Sequence, residues 1–408
     1  MATAGTGTHA GSNALPMLGV LLVAANLRPV ITAVGPVLDQ IGAETGLGAA
    51  ALGLLAAVPL LAFATVSSLT HGLAVRFGVE RTVFGALLLL AAGTLLRPVP
   101  GTLANLWIGT FLLGSAIAVC NVLLPAIIKR DFPDRMAQLT GAYSAVLGGV
   151  ASLGAGLSFP LSRLPIGPDG APAGWRFALV AFVILVVPVL AVWLPRLKHG
   201  GGPAIPVAVP TIAPAGGRGR SVWGSALAWQ VTLYMGFQSM VFFILISWLP
   251  TLERSYGRSD AGSGWDLMGF QLIGVAASLL TPRLMRGRLS HVAPALPTLL
   301  TAVGLAGLVL APGAMLLWVL VIGFGCGSSL VLALSLFGLR ARTHQHASAL
   351  SGMAQSVGYL LAAAGPPLFG ALYGWTGEWL WPLAVVAVAT VGQAWTGLLV
   401  GRDRYVLD

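Results

Sequence analysis

The sequence predicts an all-α integral membrane protein with twelve transmembrane helices in two six-helix pseudo-repeats. Of its 408 residues, 57% are hydrophobic and 8% are charged, and the mean hydropathy is +0.89, a balance that soluble domains of this size do not show. A helix of about 20 apolar residues can cross a bilayer, and twelve segments approach or exceed this length. They cover residues 14–38, 49–70, 82–98, 104–128, 137–161, 176–195, 223–250, 265–285, 292–311, 314–339, 348–373 and 379–400.

The second half of the sequence repeats the first at a constant offset of 211 residues. Gly141 corresponds to Gly352, for example, and the offset holds through four loops. Because six helices are an even number, both repeats enter the membrane from the same side and are parallel repeats. We therefore expect an N-terminal half at residues 1–195, a Gly- and Pro-rich cytoplasmic linker at 196–221 and a C-terminal half at 222–408.

The distribution of charge orients the chain. With a cytoplasmic N-terminus, the inner loops and the tail hold 16 of the 22 Lys and Arg residues and the outer loops hold five, as the positive-inside rule predicts. We therefore expect a multi-pass protein of the cell inner (cytoplasmic) membrane with both termini cytoplasmic. The net charge of +10 reflects this asymmetry and does not indicate nucleic-acid binding. Residues 1–13 contain no Lys or Arg, so no cleavable signal peptide is expected.

The first apolar segment contains a charge at its centre. Arg28 lies near the middle of an otherwise uncharged stretch, where an arginine costs roughly 3 kcal/mol or more and therefore usually faces a watery cavity or a partner. Pro29 and Pro36 each lack an N–H group and leave a carbonyl one turn earlier without its usual hydrogen bond. The combination indicates a binding site rather than a plain membrane anchor.

Polar side chains in other segments are candidates for the same cavity. The spacing of Arg28 and Thr32, of Tyr234 and Gln238, and of Gln355 and Tyr359 is i, i+4, which places each pair on one helix face. The predicted substrate-binding residues are Asn26, Arg28, Thr32, Asn121, Tyr143, Tyr234, Gln238, Gln271, Gln355 and Tyr359.

Each candidate also has a structural interpretation. Arg28 could be satisfied by helix carbonyls or by a carboxylate of another helix, although Asp39, Glu253, Asp266 and Glu378 all fall near segment ends. Asn121 and Gln238 could serve equally well as hydrogen-bonded contacts between helices, and the same alternative holds for the tyrosines. Cys120 and Cys326 lie in apolar segments, which predicts packing residues rather than a disulfide or a metal pair.

Four motifs resemble a known transporter family. They read N-L-R-P-x-x-T-x-V-G-P at 26–36, N-V-L-L-P-A-I-I-K-R-D-F-P at 121–133, F-Q-S-M-V-F at 237–242 followed by W-L-P-T-L at 248–252, and S-G-M-A-Q-S-V-G-Y-L-L-A-A at 351–363. With twelve helices in parallel halves, the chain resembles a major facilitator superfamily transporter, and more narrowly the cyanate porter family of cyanate and nitroimidazole transporters. The resemblance implies the major facilitator fold and transport by alternating access.

One loop departs from the superfamily pattern. The usual G-x-x-x-D-R-x-G after the second helix is replaced by H-G-L-A-V-R-F-G at 71–78, so His71 and Val75 stand where the superfamily has glycine and aspartate. A latch built on that aspartate cannot operate here.

The sequence therefore predicts a secondary active or facilitative transporter for a small anionic or weakly acidic solute, with Arg28 as its anchor. No nucleophile elbow, zinc-protease motif, Walker A or Rossmann glycine run is present, so we expect no enzyme, no cofactor and no metal. We expect a monomeric functional unit in the lipid bilayer. The alternatives are a proton-coupled drug exporter of the same fold and, more remotely, a polytopic membrane enzyme. Since no acidic residue lies deep in a segment, we expect facilitated diffusion, exchange, or a proton carried on the substrate.

Overall fold

The computed structural model describes residues 14–198, 221–284, 292–402 and 404–407. These residues form helices and turns, with no strand among them. Most of the predicted linker, at 199–220, lies outside the described residues, as does the N-terminal stretch 1–13. The α-helices are, in order, Ala14–Leu27 (α1), Pro29–Thr32 (α2), Leu38–Thr45 (α3), Ala49–Val66 (α4), Thr70–Phe77 (α5), Val79–Leu96 (α6), Leu103–Asp131 (α7), Met136–Ser162 (α8), Gly174–Val180 (α9), Val186–Lys198 (α10), Ala226–Ser255 (α11), Asp260–Leu284 (α12), Leu296–Leu310 (α13), Met315–Leu339 (α14), His344–Ala363 (α15), Gly365–Thr376 (α16) and Leu380–Val400 (α17).

All twelve predicted segments coincide with helices. Within the described residues, 11 helical stretches are long and apolar enough to cross a membrane, and the shorter apolar helix α13 occupies the ninth segment. The predicted all-α membrane fold is therefore confirmed. Three segments are interrupted: the first at Arg28 and again near Pro36, the sixth by a 3-10 turn at Ala181–Leu185, and the eleventh at Ala364. A proline lies within two residues after the breaks at Arg28 and Ala364. Proline favours a break because it cannot donate the backbone hydrogen bond that a helix needs.

The bundle has two ends, which we name by position in the chain. The linker end contains α5, the connection between α7 and α8, and the start of α15. The far end contains α3, the end of α11 and the start of α12. The positive-inside rule predicts that the linker end faces the cytoplasm.

The two predicted halves meet tightly at the far end. The Asp39 carboxylate on α3 accepts bonds from the Arg254 guanidinium (2.5 Å) and the Thr251 hydroxyl (2.9 Å), both on α11. Of the ion pairs formed between described residues, this is the one that joins the two halves. A Cβ atom on Gly35 or Gly53 would lie within 2.2 Å of a backbone carbonyl of the other half. Glycine at these positions lets the backbones touch.

Helix α8 is less buried toward the linker end. Between Gly141 and Val150, no residue of α8 is fully buried, whereas Ala151, Ser152 and Ala155, further along the same helix, are buried. A Cβ atom on Gly141 would meet nothing within 4 Å. Burial along α8 therefore increases from the linker end toward the far end, where the two predicted halves are in contact.

A charged cluster joins three helices of the predicted N-terminal half at the linker end. Arg130 at the end of α7 bonds to Glu80 (2.5 Å) and to Asp131 (2.6 Å), and Asp131 also pairs with Arg196 on α10. The indole of Trp193 donates to the carbonyl of Glu80 (3.1 Å). These contacts fix α6, α7 and α10 to one another beside α5. The stretch 71–78, expected as a loop, is mostly helical in the structure.

Candidate substrate site at a broken helix

The break between α1 and α2 places Arg28 at the junction of two short helices. Arg28 has φ −104° and ψ −36°, and Pro29 begins α2. Helix α8 packs against this junction so closely that a Cβ atom on Gly154 would lie 2.7 Å from the Pro29 backbone, and the Thr32 hydroxyl donates to the Ala151 carbonyl at 2.7 Å. The junction is thus held in place by its neighbour, as pre-organised binding sites require.

A second arginine supports the broken backbone. The N–H of Val34 bonds to the carbonyl of Ile31, three residues back, which leaves the Val30 carbonyl free. Arg97, just past the end of α6, donates to that carbonyl at 2.9 Å and is 3% exposed. Arg97 is one of the five Lys and Arg residues that the predicted topology assigns to outer loops, yet it is buried in the structure.

Arg28 differs from Arg97 in its surroundings. Its side chain is partly exposed, and no hydrogen bond or ion pair joins its guanidinium to another described residue. The carboxylate partner that remained an alternative from the sequence is not found among the described residues. An interior cation without a counter-charge can attract a negatively charged ligand.

Two tyrosines, one from each predicted half, lie near this cation. Tyr143 on α8 and Tyr359 on α15 are both within electrostatic range of the Arg28 charge and of each other. The Tyr143 hydroxyl donates to the Asn121 side-chain oxygen over 3.5 Å, a long and weak bond. The ring of Tyr359 meets the ring of Phe63 edge to face, with 5.8 Å between their centroids.

The cluster of Arg28, Tyr143, Asn121, Tyr359 and Phe63, which we call the central cluster, combines three kinds of contact. The guanidinium offers a planar fork of donors, the phenols and the amide offer hydrogen bonds, and the aromatic rings offer a flat apolar surface. Such a set fits a small planar anion or weak acid. Phe63 was not a sequence candidate, because a phenylalanine in an apolar segment carries no signal that separates it from packing residues.

Other predicted site residues have their donors occupied by the protein. The amide of Asn26 donates to the carbonyls of Leu22 (2.8 Å) and Leu185 (2.9 Å), and Thr32 is bound to α8 as described. The Gln238 amide donates to the Ser239 hydroxyl at 2.7 Å. The side chains of Asn26, Thr32 and Gln238 are buried.

Three more candidates lie on α11, α12 and α15. Tyr234 is completely buried and donates to the Pro294 carbonyl at 2.7 Å, next to a bond from Gln393 to Ser329. Gln271 is buried on α12. Gln355 is partly exposed on α15, one turn from Tyr359, and its amide donates to the Ser351 hydroxyl. Gln355 is therefore the one of these three whose side chain is partly exposed.

No metal site accompanies the cluster in the part of the chain that the structure describes. No group of three or more His, Cys, Asp or Glu side chains is placed there to hold an ion. Cys120 and Cys326 are both free and buried, which agrees with their expected packing role.

Comparison with known proteins identifies the family. The model of the Major Facilitator Superfamily matches residues 17–363. The chain is 41% identical to the 2-nitroimidazole transporter of Escherichia coli over 406 residues, which cover 97% of this chain and 98% of that protein. It is 29% identical to the cyanate transport protein CynX of Escherichia coli, with 92% of this chain and 94% of that protein covered.

The fold agrees with this assignment. The crystal structure of a D-xylose-proton symporter superimposes with a TM-score of 0.74 at 13% identity, and the alignment covers 97% of this chain and 98% of the symporter. The resemblance to cyanate and nitroimidazole transporters that the motifs indicated is confirmed by the relatives above. The chain is a multi-pass membrane protein that belongs to the Major Facilitator Superfamily of transporters.

Proposed function

We propose that this protein transports a small anionic or weakly acidic solute across the membrane by alternating access, with Arg28 as the electrostatic anchor. The observation that carries the proposal is the partly exposed guanidinium of Arg28, which has no partner among the described residues and lies at a helix break within electrostatic range of Tyr143 and Tyr359. The names of the relatives, a 2-nitroimidazole transporter and a cyanate transport protein, support a solute of this class.

The central cluster can couple solute binding to movement of the halves. Tyr143 belongs to the N-terminal half and Tyr359 to the C-terminal half, and a solute held by Arg28 can contact both. Its negative charge offsets the cost of keeping the cation inside the membrane, so the occupied site is the more stable one. With the far end closed, the solute exchanges with the linker-end solution, and rocking of the two halves exposes it to the other side.

The chain is proposed as a transporter and not as an enzyme. A proton-coupled drug exporter remains the second candidate from the sequence. An exporter of cationic drugs is disfavoured by the central Arg28 cation, which has no counter-charge among the described residues. Asn121 and Gln355 join the proposed site as neutral partners. Asn26, Thr32, Tyr234, Gln238 and Gln271 support the surrounding helices in this proposal.

Transport into proteoliposomes tests the function. We expect the purified protein to accelerate uptake of 2-nitroimidazole, cyanate or a small carboxylate, measured with and without a pH gradient. Liposomes that contain the Arg28→Ala variant serve as the matched control and should show only leakage. Uptake of a permanently cationic dye, equal in the two proteins and without uptake of any anion, would favour the drug exporter.

We further propose that both chain termini and the linker face the cytoplasm. Asp134, between α7 and α8, and Asp169, between α8 and α9, are both exposed and lie at opposite ends of the bundle. In intact cells, a membrane-impermeant thiol reagent should label Asp169→Cys and leave Asp134→Cys unlabelled until the cells are permeabilised. The native Cys120 and Cys326 are buried and provide a low background. The reverse labelling pattern would invert the proposed orientation.

A further inference from the structure

A buried carboxylic acid lies in the far-end closure. Glu253, near the end of α11, is 0% exposed, and neither of its carboxylate oxygens has a hydrogen-bond partner among the described residues. The sequence placed Glu253 at a segment end, and α11 does end two residues later at Ser255. The sequence did not predict the complete burial of Glu253. Hydropathy locates the helix ends, but it does not show which neighbouring helices cover a residue.

Its position connects it to the contact between the halves. Glu253 lies seven residues beyond Ile246, on the same helix face, and the Ile246 carbonyl touches Gly35 of the other half. The next residue, Arg254, forms the ion pair with Asp39 that joins the halves. Glu253 therefore belongs to the part of α11 that must be uncovered when the far end opens.

The charged groups around Glu253 do not provide it with a partner. Arg254 pairs with Asp39 and lies 3.6 Å from Asp260, while Arg258 donates two bonds to Asp266, at 2.7 and 2.8 Å. Asp266 on α12 is 2% exposed and acts on Glu253 as a like charge.

The other elements that pack on this part of α11 add no cation. The turn Gly35–Val37 has no titratable side chain, and α16 contributes only Tyr373.

We propose that Glu253 is a proton-binding site that locks the far end: the protonated acid fits the closed interface, and release of its proton to the far-side solution accompanies opening. A carboxylate enclosed without a hydrogen bond is far less stable than the neutral acid. When the halves separate, water reaches Glu253 and Arg254 leaves Asp39, so the ionised form gains both solvent and a neighbouring cation. Acid on the far side thus favours the closed state, and alkali favours the open state.

The proton at Glu253 is a ligand that the central cluster does not bind, and its proposed role rests on the alternating-access part of the proposed function. A carboxylate can take part in proton binding although none lies deep in a segment, since Glu253 and Asp266 are enclosed by protein at the end of the bundle.

A thiol in the closed interface reports on opening without any substrate. Ser247 is 5% exposed and lines a small cavity between the halves together with Val34, Leu55 and Arg97. The change Ser247→Cys is nearly isosteric, and its rate of labelling by a small thiol reagent in proteoliposomes measures how often the far end opens.

We compare how much the labelling rate rises with pH in the Ser247→Cys protein and in the same protein that also carries Glu253→Gln. The rise should be roughly tenfold greater in the protein that retains Glu253. This factor corresponds to about 1.4 kcal/mol of proton-binding free energy. The glutamine variant removes the titration and keeps the shape, and comparing the two proteins cancels the reactivity of the thiol itself. Glu253→Asp should retain the pH dependence.

The control is Glu44→Gln, which removes an exposed far-end carboxylate that is already paired with Arg176 and should leave the pH dependence unchanged. Thermal melting verifies that each variant is folded. Equal pH dependence with and without Glu253 would overturn the proton site, whatever solute the protein carries. Failure to transport any anion, with the pH effect on labelling intact, would instead overturn the proposed substrate class.

Discussion

Arg28→Ala is expected to abolish transport while the melting temperature stays within a few degrees of the parent protein. The guanidinium makes no hydrogen bond or ion pair with another described residue, so its removal breaks no contact that holds the helices together. A bound anion loses about two charge-assisted hydrogen bonds, worth roughly 1.5 kcal/mol each at least, which corresponds to about a 100-fold or greater loss of affinity. Substrate binding and thermal melting of the purified variant check both parts.

Two further variants sharpen this test. Arg28→Lys keeps the charge but loses the planar fork of donors, so partial activity is expected. Arg97→Ala is the matched comparison, because Arg97 is buried and bound to the Val30 carbonyl. We expect Arg97→Ala to lower the melting temperature through a cavity and an unpaired carbonyl. If Arg28→Ala melts early and still binds substrate with unchanged affinity, Arg28 is a structural residue.

Much of the fold can be predicted from the sequence because the bilayer imposes a simple rule. A spanning helix must be apolar over about 20 residues, and this requirement is visible without knowledge of any partner. The break at Arg28 is also predictable, since Pro29 cannot donate to the carbonyl one turn earlier. The proximity of Arg28 and Tyr143 could be predicted from the sequence as well, because the polar faces of neighbouring helices are expected to share one cavity.

The remaining features depend on contacts between distant segments. Tyr234 and Tyr359 look alike in the sequence, yet one is enclosed against Pro294 and the other lies near Arg28. Nothing in the local sequence separates them, because the difference arises from which helices surround α11 and α15. Arg97 and Glu253 likewise lie near segment ends in the sequence. Both are buried because neighbouring helices pack over them, which the local sequence does not show.

Gly53→Ala is expected to prevent full closure of the far end and to reduce transport strongly. A Cβ atom at this position on α4 would lie 2.1 Å from the Pro366 carbonyl oxygen and 2.7 Å from the Pro367 Cα atom, both backbone atoms of the other half. Backbone cannot move aside as a flexible side chain does, so the halves must separate. An overpacking cost of about 1–3 kcal/mol confined to the closed state would shift the equilibrium toward the open state by roughly 5- to 150-fold.

The thiol at Ser247→Cys measures this shift, and it should be labelled faster by a similar factor in the Gly53→Ala background. Gly85→Ala on α6 is the matched control, because its Cβ atom would meet nothing within 4 Å and alanine favours a helix over glycine. That control should transport and label like the parent protein. Since the clash lies between the halves and not inside either, Gly53→Ala should still insert and melt cooperatively. Normal labelling and normal transport in Gly53→Ala would show that the closed contact of α4 with α16 is not part of the transport cycle.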